Sequence, residues 1–266
     1  MPRIAWMTDI HFDFLKLHQI ERFCTSVKES SPDMVWIGGD ISIAPLLTTH
    51  LSLIEHYLQC PVYFVLGNHD YYRSSIREVR RTISEFVKNH DYLFWLPQHG
   101  VVQVTESVAM VGHGCWADGR LGDTSSELLL TDYALIEEYK HLNTLQRLKT
   151  MNDLGDWAAD ELEPWLRKAL LQAQHVYVLT HVPPFEQSSW YNEFISTPEF
   201  LPHFSCHAVG EMLKRVMQDH PDRYLTVLCG HTHGAGETRI TENIFTKTGG
   251  ARYKKPTVQE VIDVES

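Results

Sequence analysis

Five short blocks in this 266-residue chain end hydrophobic runs with side chains able to bind metal ions. They are Asp9-Ile10-His11, Gly39-Asp40, Gly67-Asn68-His69-Asp70, His181, and Gly230-His231-Thr232-His233. The runs before them are IAWMT, MVWIG, VYFVL, VYVLT and YLTVLC. Imidazole and carboxylate without thiolate suit manganese, iron or zinc. At a strand end, side chains two positions apart share a face, so Asp9/His11 and His231/His233 read as local chelates. Asp40 offers two oxygens and could bridge two ions, whereas Asn68 adds only a neutral amide oxygen. Glycine precedes three blocks, where a strand turns sharply or two backbones come close. Two divalent ions roughly 3.5–4 Å apart would lower the pKa of a bridging water and clamp phosphoryl oxygens during in-line displacement. A leaving alkoxide also needs a proton or a positive partner. His69 is the candidate, with Asp70 placed to orient or charge its imidazole.

The ordered set TDIH, GGD, GNHD, THVPP and GHTH resembles the calcineurin-like metallophosphoesterase family, from about Ile4 to the glycines after Phe245. Each block alone is weak; their joint order, each after an apolar run, is specific. The resemblance implies an α/β (α+β) fold, a four-layer αββα sandwich of two mixed β-sheets flanked by helices, with metals at the C-terminal strand ends. It assigns Asp9, His11, Asp40 and His233 to one metal. Asp40, Asn68, His181 and His231 would hold the other, with Asp40 between them and His69 beside the leaving oxygen. Protein Ser/Thr phosphatases of this superfamily usually carry arginine before the third-block glycine and glutamate at its end. Leu66 and Asp70 stand there in this chain. That departure points towards smaller phosphodiesterases and nucleotide hydrolases. Phosphodiester hydrolysis is slightly favoured over monoester hydrolysis, and a non-catalytic metal-holding scaffold is the reading of a different class.

The elements that must position these blocks alternate. A helix over 18–29 lies between the first two, and SLIEHYLQ precedes the third, as in βαβ units. After Asp70, Ile76, Val79, Ile83, Phe86 and Val87 follow the helical period. VVQVTESVAMVG reads as two strands joined around Thr105–Ser107, and Pro164 as the first turn of a helix or a kink in a longer one. TRI, NIFTKTG and QEVIDV read as closing antiparallel strands. No linker or repeat divides residues 1–266, which read as one domain.

Candidate substrate contacts lie between the blocks. Arg73 either belongs to a solvated arginine stripe or reaches an anionic substrate. Trp116 either stacks on a base or sugar or packs in the core. Residues 182–210 form a long loop rich in aromatics, read as a wall over the metals, with Trp190, Tyr191, His203 and His207 as candidates. Arg252–Lys255 read as a basic turn, with an anion contact as the alternative.

Composition bounds the rest. A formal net charge of −11 gives no global basic field for long nucleic acid, which weakens a nuclease reading. A small phosphate ester is the expected substrate. The five cysteines are odd in number, show no CxxC pairing and read as reduced thiols. No apolar run reaches membrane-spanning length, and Met1-Pro2-Arg3 leads straight into the first strand, so a soluble, cytoplasmic protein without a signal peptide is expected.

Overall fold

Apolar runs with no polar alternation become strands covered on both faces, and that is what these runs form. In the computed structural model, which describes residues 1–264, β1 (Arg3–Met7), β2 (Met34–Gly38), β3 (Val62–Val65) and β4 (Leu93–Trp95) run parallel in one sheet. A late strand, Glu260–Asp263, pairs antiparallel with β1 at the edge. The second sheet holds β5 (Val102–Gln103), β6 (Val108–Gly112) and β7 (His175–Leu179). A two-residue hairpin, β8 (Trp190–Tyr191) and β9 (Phe194–Ile195), stands apart. Then β10 (Tyr224–Cys229), β11 (Gly236–Arg239) and β12 (Ile244–Thr248) complete the second sheet, and Glu260–Asp263 is β13. The sheet orders are β13-β1-β2-β3-β4 and β11-β12-β10-β7-β6-β5. Both sheets are mixed: β6, β7, β10 and β12 are parallel, while the edges β5 and β11 are antiparallel.

Period-two alternation along doubly buried strands sorts the core into layers. Ile4, Trp6, Trp36, Met110, Leu179 and Leu228 meet between the two sheets. Ala5, Met7, Val35 and Ile37 face the other way, onto the helices Leu17–Glu29, Ala44–Leu58 and Ile76–Phe86. On the second sheet, Val176, Val178, Leu225 and Val227 pack on helices Thr144–Leu170 and His207–Gln218. Three apolar interfaces between four layers make the αββα sandwich that the motif set implied. Pro164 is accommodated inside one 27-residue helix. The closing strands are antiparallel at β11 and β13 only; β12 runs parallel to β10. All five cysteines are free. Among the described residues no helix is long and apolar enough to cross a membrane.

The topology puts five parallel strand ends in one place. β1, β2 and β3 are neighbours in the first sheet, β7 and β10 in the second, and each carries one of the five blocks just past its C-terminal end. Backbones come so close there that only glycine fits. A Cβ on Gly67 would lie 2.2 Å from Asp40 Oδ1 and 2.7 Å from His181 Cε1. Gly39 has φ of 88°, and its Cβ would meet the Gly67 nitrogen at 2.6 Å.

Candidate metal centre at the strand ends

The blocks lie in turns beyond the strands, so pleat periodicity does not aim their side chains. Asp9, His11, Asp40, His231 and His233 all take left-handed backbone conformations, φ from 42° to 71°. For non-glycine residues this is sparsely populated and strained, and such positions cluster where a site is over-determined. The i, i+2 expectation therefore holds for one pair only. Asp9, His11, Asp40 and His233 form a cluster whose ligand atoms all lie within 4.8 Å of one another. His231 instead turns towards His181, with ring centroids 5.0 Å apart.

The ligand atoms of this cluster crowd together. His11 Nε2 and His233 Nε2 face each other at 3.3 Å, His233 Nε2 is 3.4 Å from Asp9 Oδ1, and His11 Nε2 is 3.7 Å from Asp40 Oδ2. The second group is more explicit. His181 Nδ1 lies 2.9 Å from the Gly38 carbonyl, an acceptor, so Nδ1 carries the hydrogen and donates it. Burial holds the His181 ring below its usual pKa, which leaves Nε2 with a bare lone pair. That lone pair points at Asn68 Oδ1, 3.0 Å away, and Asp40 Oδ1, 3.3 Å away. The amide orientation is forced, because Asn68 Nδ2 donates to Asp132 Oδ1 at 2.9 Å. His181 Nε2, Asn68 Oδ1 and Asp40 Oδ1 thus converge with lone pairs that a cation among them would satisfy. His231 Nε2 is buried with no hydrogen-bond partner among the described residues. The donor set fits divalent metal.

Electrostatics agree. Burial lowers His11 to about 4 and His231 to about 3, so both imidazoles are neutral at pH 7. Burial alone would raise the Asp9 carboxyl, but the surrounding His181, His233 and His11 rings hold it below the usual carboxylate range. Asp40 is pushed well above that range by burial and then by the Asp9 and Asp70 charges. Its two oxygens divide the site: Oδ1 faces His181 and also accepts the His69 backbone N–H at 2.9 Å, while Oδ2 faces His11.

His69 lines the cleft, its ring stacked on Tyr72 at 4.2 Å and its Nε2 3.9 Å from Asp40 Oδ2. Burial, then the neighbouring His11 and His181 rings, lowers it to about 2, so its imidazole is neutral at pH 7. Asp70 does not orient it. Fully buried, Asp70 accepts the backbone N–H groups of Ile41, Ser42 and Gly67 at 2.8–3.0 Å, tying the second block's loop to the third. Its carboxylate is consumed by those three donors, and the role assigned to it from sequence is corrected accordingly.

Of the candidate substrate contacts, Tyr191 alone lines the cleft. Arg73 lines a smaller cavity with Pro45, Thr48 and Thr82, because a left-handed turn at φ 69° points the chain away from the metals. Trp116 is 4% exposed and packs on Tyr71 in the core. Trp190 lies against Gly236, where a Cβ would meet its ring at 2.2 Å, and so fixes the base of the hairpin. His203 is buried, held by Tyr133 Oη at 2.5 Å and Ser126 Oγ at 3.1 Å. His207 opens helix His207–Gln218 outside the cleft lining.

Two further residues of the cleft lining bear on the site. Tyr253, from the turn read as basic, lies 4.7 Å from the His11 ring and 5.1 Å from His233. Its only sequence signal was the glycine pair before it. Asp132, 64 residues from Asn68, accepts both Asn68 Nδ2 and Tyr72 Oη, the latter at 2.5 Å. It positions Asn68 by locking the amide. Groups behind a ligand commonly change metal affinity 10- to 100-fold when removed. Asp132→Ala is expected to weaken manganese binding by about that factor, with Asp132→Asn milder because it keeps an acceptor. Calorimetric titration of the folded variants reads this; unchanged affinity in Asp132→Ala would remove the role.

The family model described as calcineurin-like phosphoesterase matches residues 2–235. No curated protein matches the chain significantly. Among solved structures, the phosphopantetheinyl hydrolase PptH of Mycobacterium tuberculosis is similar, with 16% identity, a TM-score of 0.69, and coverage of 98% of this chain and 95% of that one. A dimetal phosphatase from Danio rerio has 13% identity and a TM-score of 0.58, over 96% of this chain and 90% of that one. At these identities the likeness concerns the fold.

Proposed function

The chain belongs to the calcineurin-like phosphoesterase family, and from that premise we propose a dinuclear metal-dependent phosphoesterase acting on small phosphate esters. It is a metal-dependent hydrolase by family and by its metal-binding cluster; the second metal and the substrate class are our reading. The observation that carries it is the convergence of imidazole nitrogens, carboxylate oxygens and the Asn68 amide oxygen on both sides of Asp40. Asp9, His11, Asp40 and His233 would hold one ion, and Asp40, Asn68, His181 and His231 the other. When bound, two divalent ions (manganese, iron or zinc) supply a hydroxide nucleophile near neutral pH and neutralise charge on the phosphoryl oxygens.

The chain's own residues do the rest. Asp40 holds both halves of the site in register through the His69 amide and the two histidine groups. His69 donates a neutral N–H to an ester or phosphoryl oxygen that enters the cleft, and Tyr72 fixes its ring plane. Leu66 is 2% exposed, packed in the core where phosphoprotein phosphatases present an arginine. This favours small phosphodiesters, with nucleotides and monoesters behind them.

Protein purified without chelator is expected to carry close to two ions and to hydrolyse bis(p-nitrophenyl) phosphate faster than p-nitrophenyl phosphate. Well under one ion per chain, with no gain on adding manganese, would sink the metal reading. Full metal with no turnover of either ester would favour a metal-holding scaffold.

A further inference from the structure

The cleft in front of the metal-binding cluster has a volume of about 630 Å³. That is far more than a phosphoryl group fills and falls in the range of pockets that enclose drug-sized ligands. Its lining divides sharply. The floor is polar, built from Asp40, Asn68, His69 and the histidines of the last block. The outer wall is Leu130, Tyr191, Phe194, Ile195, Phe200 and Phe204. Tyr191, Phe194 and Phe200 are 58%, 74% and 40% exposed, although surfaces seldom gather large apolar side chains without a reason. The hairpin β8–β9 carries much of this wall. It is held in place by Ser196 N–H donating to the Ser189 carbonyl at 2.7 Å and Gly234 N–H donating to the Trp190 carbonyl at 3.1 Å.

Charge completes the picture. Among the described residues no lysine or arginine lines the cleft. Arg252, Lys254 and Lys255 flank Tyr253 in sequence, but only the tyrosine reaches the lining. A second phosphate on the substrate would therefore meet aromatic rings and the half-buried Asp132, with no cation to offset desolvation. What remains on the wall for hydrogen bonding is neutral: Asn192, Ser196 and Thr197.

Building on the phosphoesterase reading, we propose that the cleft selects esters bearing a single phosphate and an elongated, uncharged, largely apolar organic group, which lies along the β8–β9 wall. Nucleoside diphosphates and other multiply phosphorylated compounds are excluded by the missing cations. Selection among phosphodiesters sits in the organic group, which is the part that meets the apolar wall.

The test is a series of p-nitrophenyl n-alkyl phosphates, methyl to octyl, below their micelle concentrations, with manganese-loaded enzyme. All share the same departing phenolate, so intrinsic reactivity is nearly constant. With up to about fourfold per fully buried methylene available, kcat/KM is expected to rise about 10- to 100-fold from methyl to octyl. Phe194→Ala combined with Phe200→Ala, both surface side chains, should reduce that advantage at least about threefold. In parallel, calorimetry on the same protein should show n-octyl phosphate binding tighter than methyl phosphate and tighter than ADP. A flat chain-length dependence in both rate and binding, or preference for ADP, would overturn the proposal while leaving phosphoesterase activity standing. If no ester turned over, the phosphoesterase reading would fall, and the calorimetric comparison would still decide the wall.

Discussion

Asp40→Asn is expected to abolish binding of at least one of two metal ions and to lower turnover about 10³-fold or more, several kcal/mol of transition-state stabilisation. The reason is geometric. Asp40 is the residue that faces both ligand groups, one oxygen 3.3 Å from His181 and the other 3.7 Å from His11. Asparagine keeps the shape and one acceptor, so the His69 amide bond can survive while the second anionic oxygen is lost. Stability should move in the opposite direction. Burial, with the Asp9 and Asp70 charges, raises the folded-state pKa of Asp40 above 3.8. A carboxyl raised by folding binds more protons folded than unfolded, so its contribution falls as pH rises from about 4 through its folded value. Metal-free Asp40→Asn should therefore unfold at a higher temperature than metal-free wild type at pH 7, while metal-loaded wild type exceeds both. Elemental analysis, turnover and thermal melts together check this; an apo variant less stable than apo wild type at pH 7 would show that Asp40 is not charge-strained.

His69→Ala separates catalysis from metal binding. Its side chain lines the cleft, stacks on Tyr72 and reaches no closer than 3.9 Å to Asp40 Oδ2, so its removal should leave both ions in place. Turnover is expected to fall about 10²- to 10⁴-fold, the usual range for a positioned proton-transfer or hydrogen-bonding side chain. The loss should be greatest for esters with poor alkoxide leaving groups and smaller for p-nitrophenolate, which departs without help. Asp70→Asn should behave differently. Its cost belongs in folding stability, because its three backbone donors tie two loops together. Equal turnover by metal-replete His69→Ala and wild type on an alkyl diester would remove His69 from the mechanism.

The contrast between His69 and Asp70 shows where sequence reasoning stops. Their adjacency suggested a catalytic pair, yet a 3₁₀ turn, His69–Tyr71, separates their directions. Asp70 turns inward to satisfy amides and His69 outward to the cleft. The histidines told a similar story. His203, His207 and His113 have the same chemistry as His231, but His203 and His113 are held by Tyr133 and Glu161 in packed surroundings, and His207 stands at a helix start. Arg73 was plausible because it follows a metal block in sequence and Trp116 because its ring could stack on a base or sugar; a left-handed turn and a core contact with Tyr71 send them elsewhere.

By itself, the sequence determined the five strand-end blocks and their order, and through them the resemblance that implied the layered architecture. Apolar runs must be buried on both faces, and metal-binding side chains after them must gather where parallel strands end. Tertiary structure alone decided three things: that His231 and His233 separate, that Asp132 and Tyr253 join the cleft, and that its wall is apolar and free of cations. Those depend on left-handed turns and on contacts such as the 64-residue separation between Asn68 and Asp132. Local spacing carries no information about which distant loops a fold brings face to face.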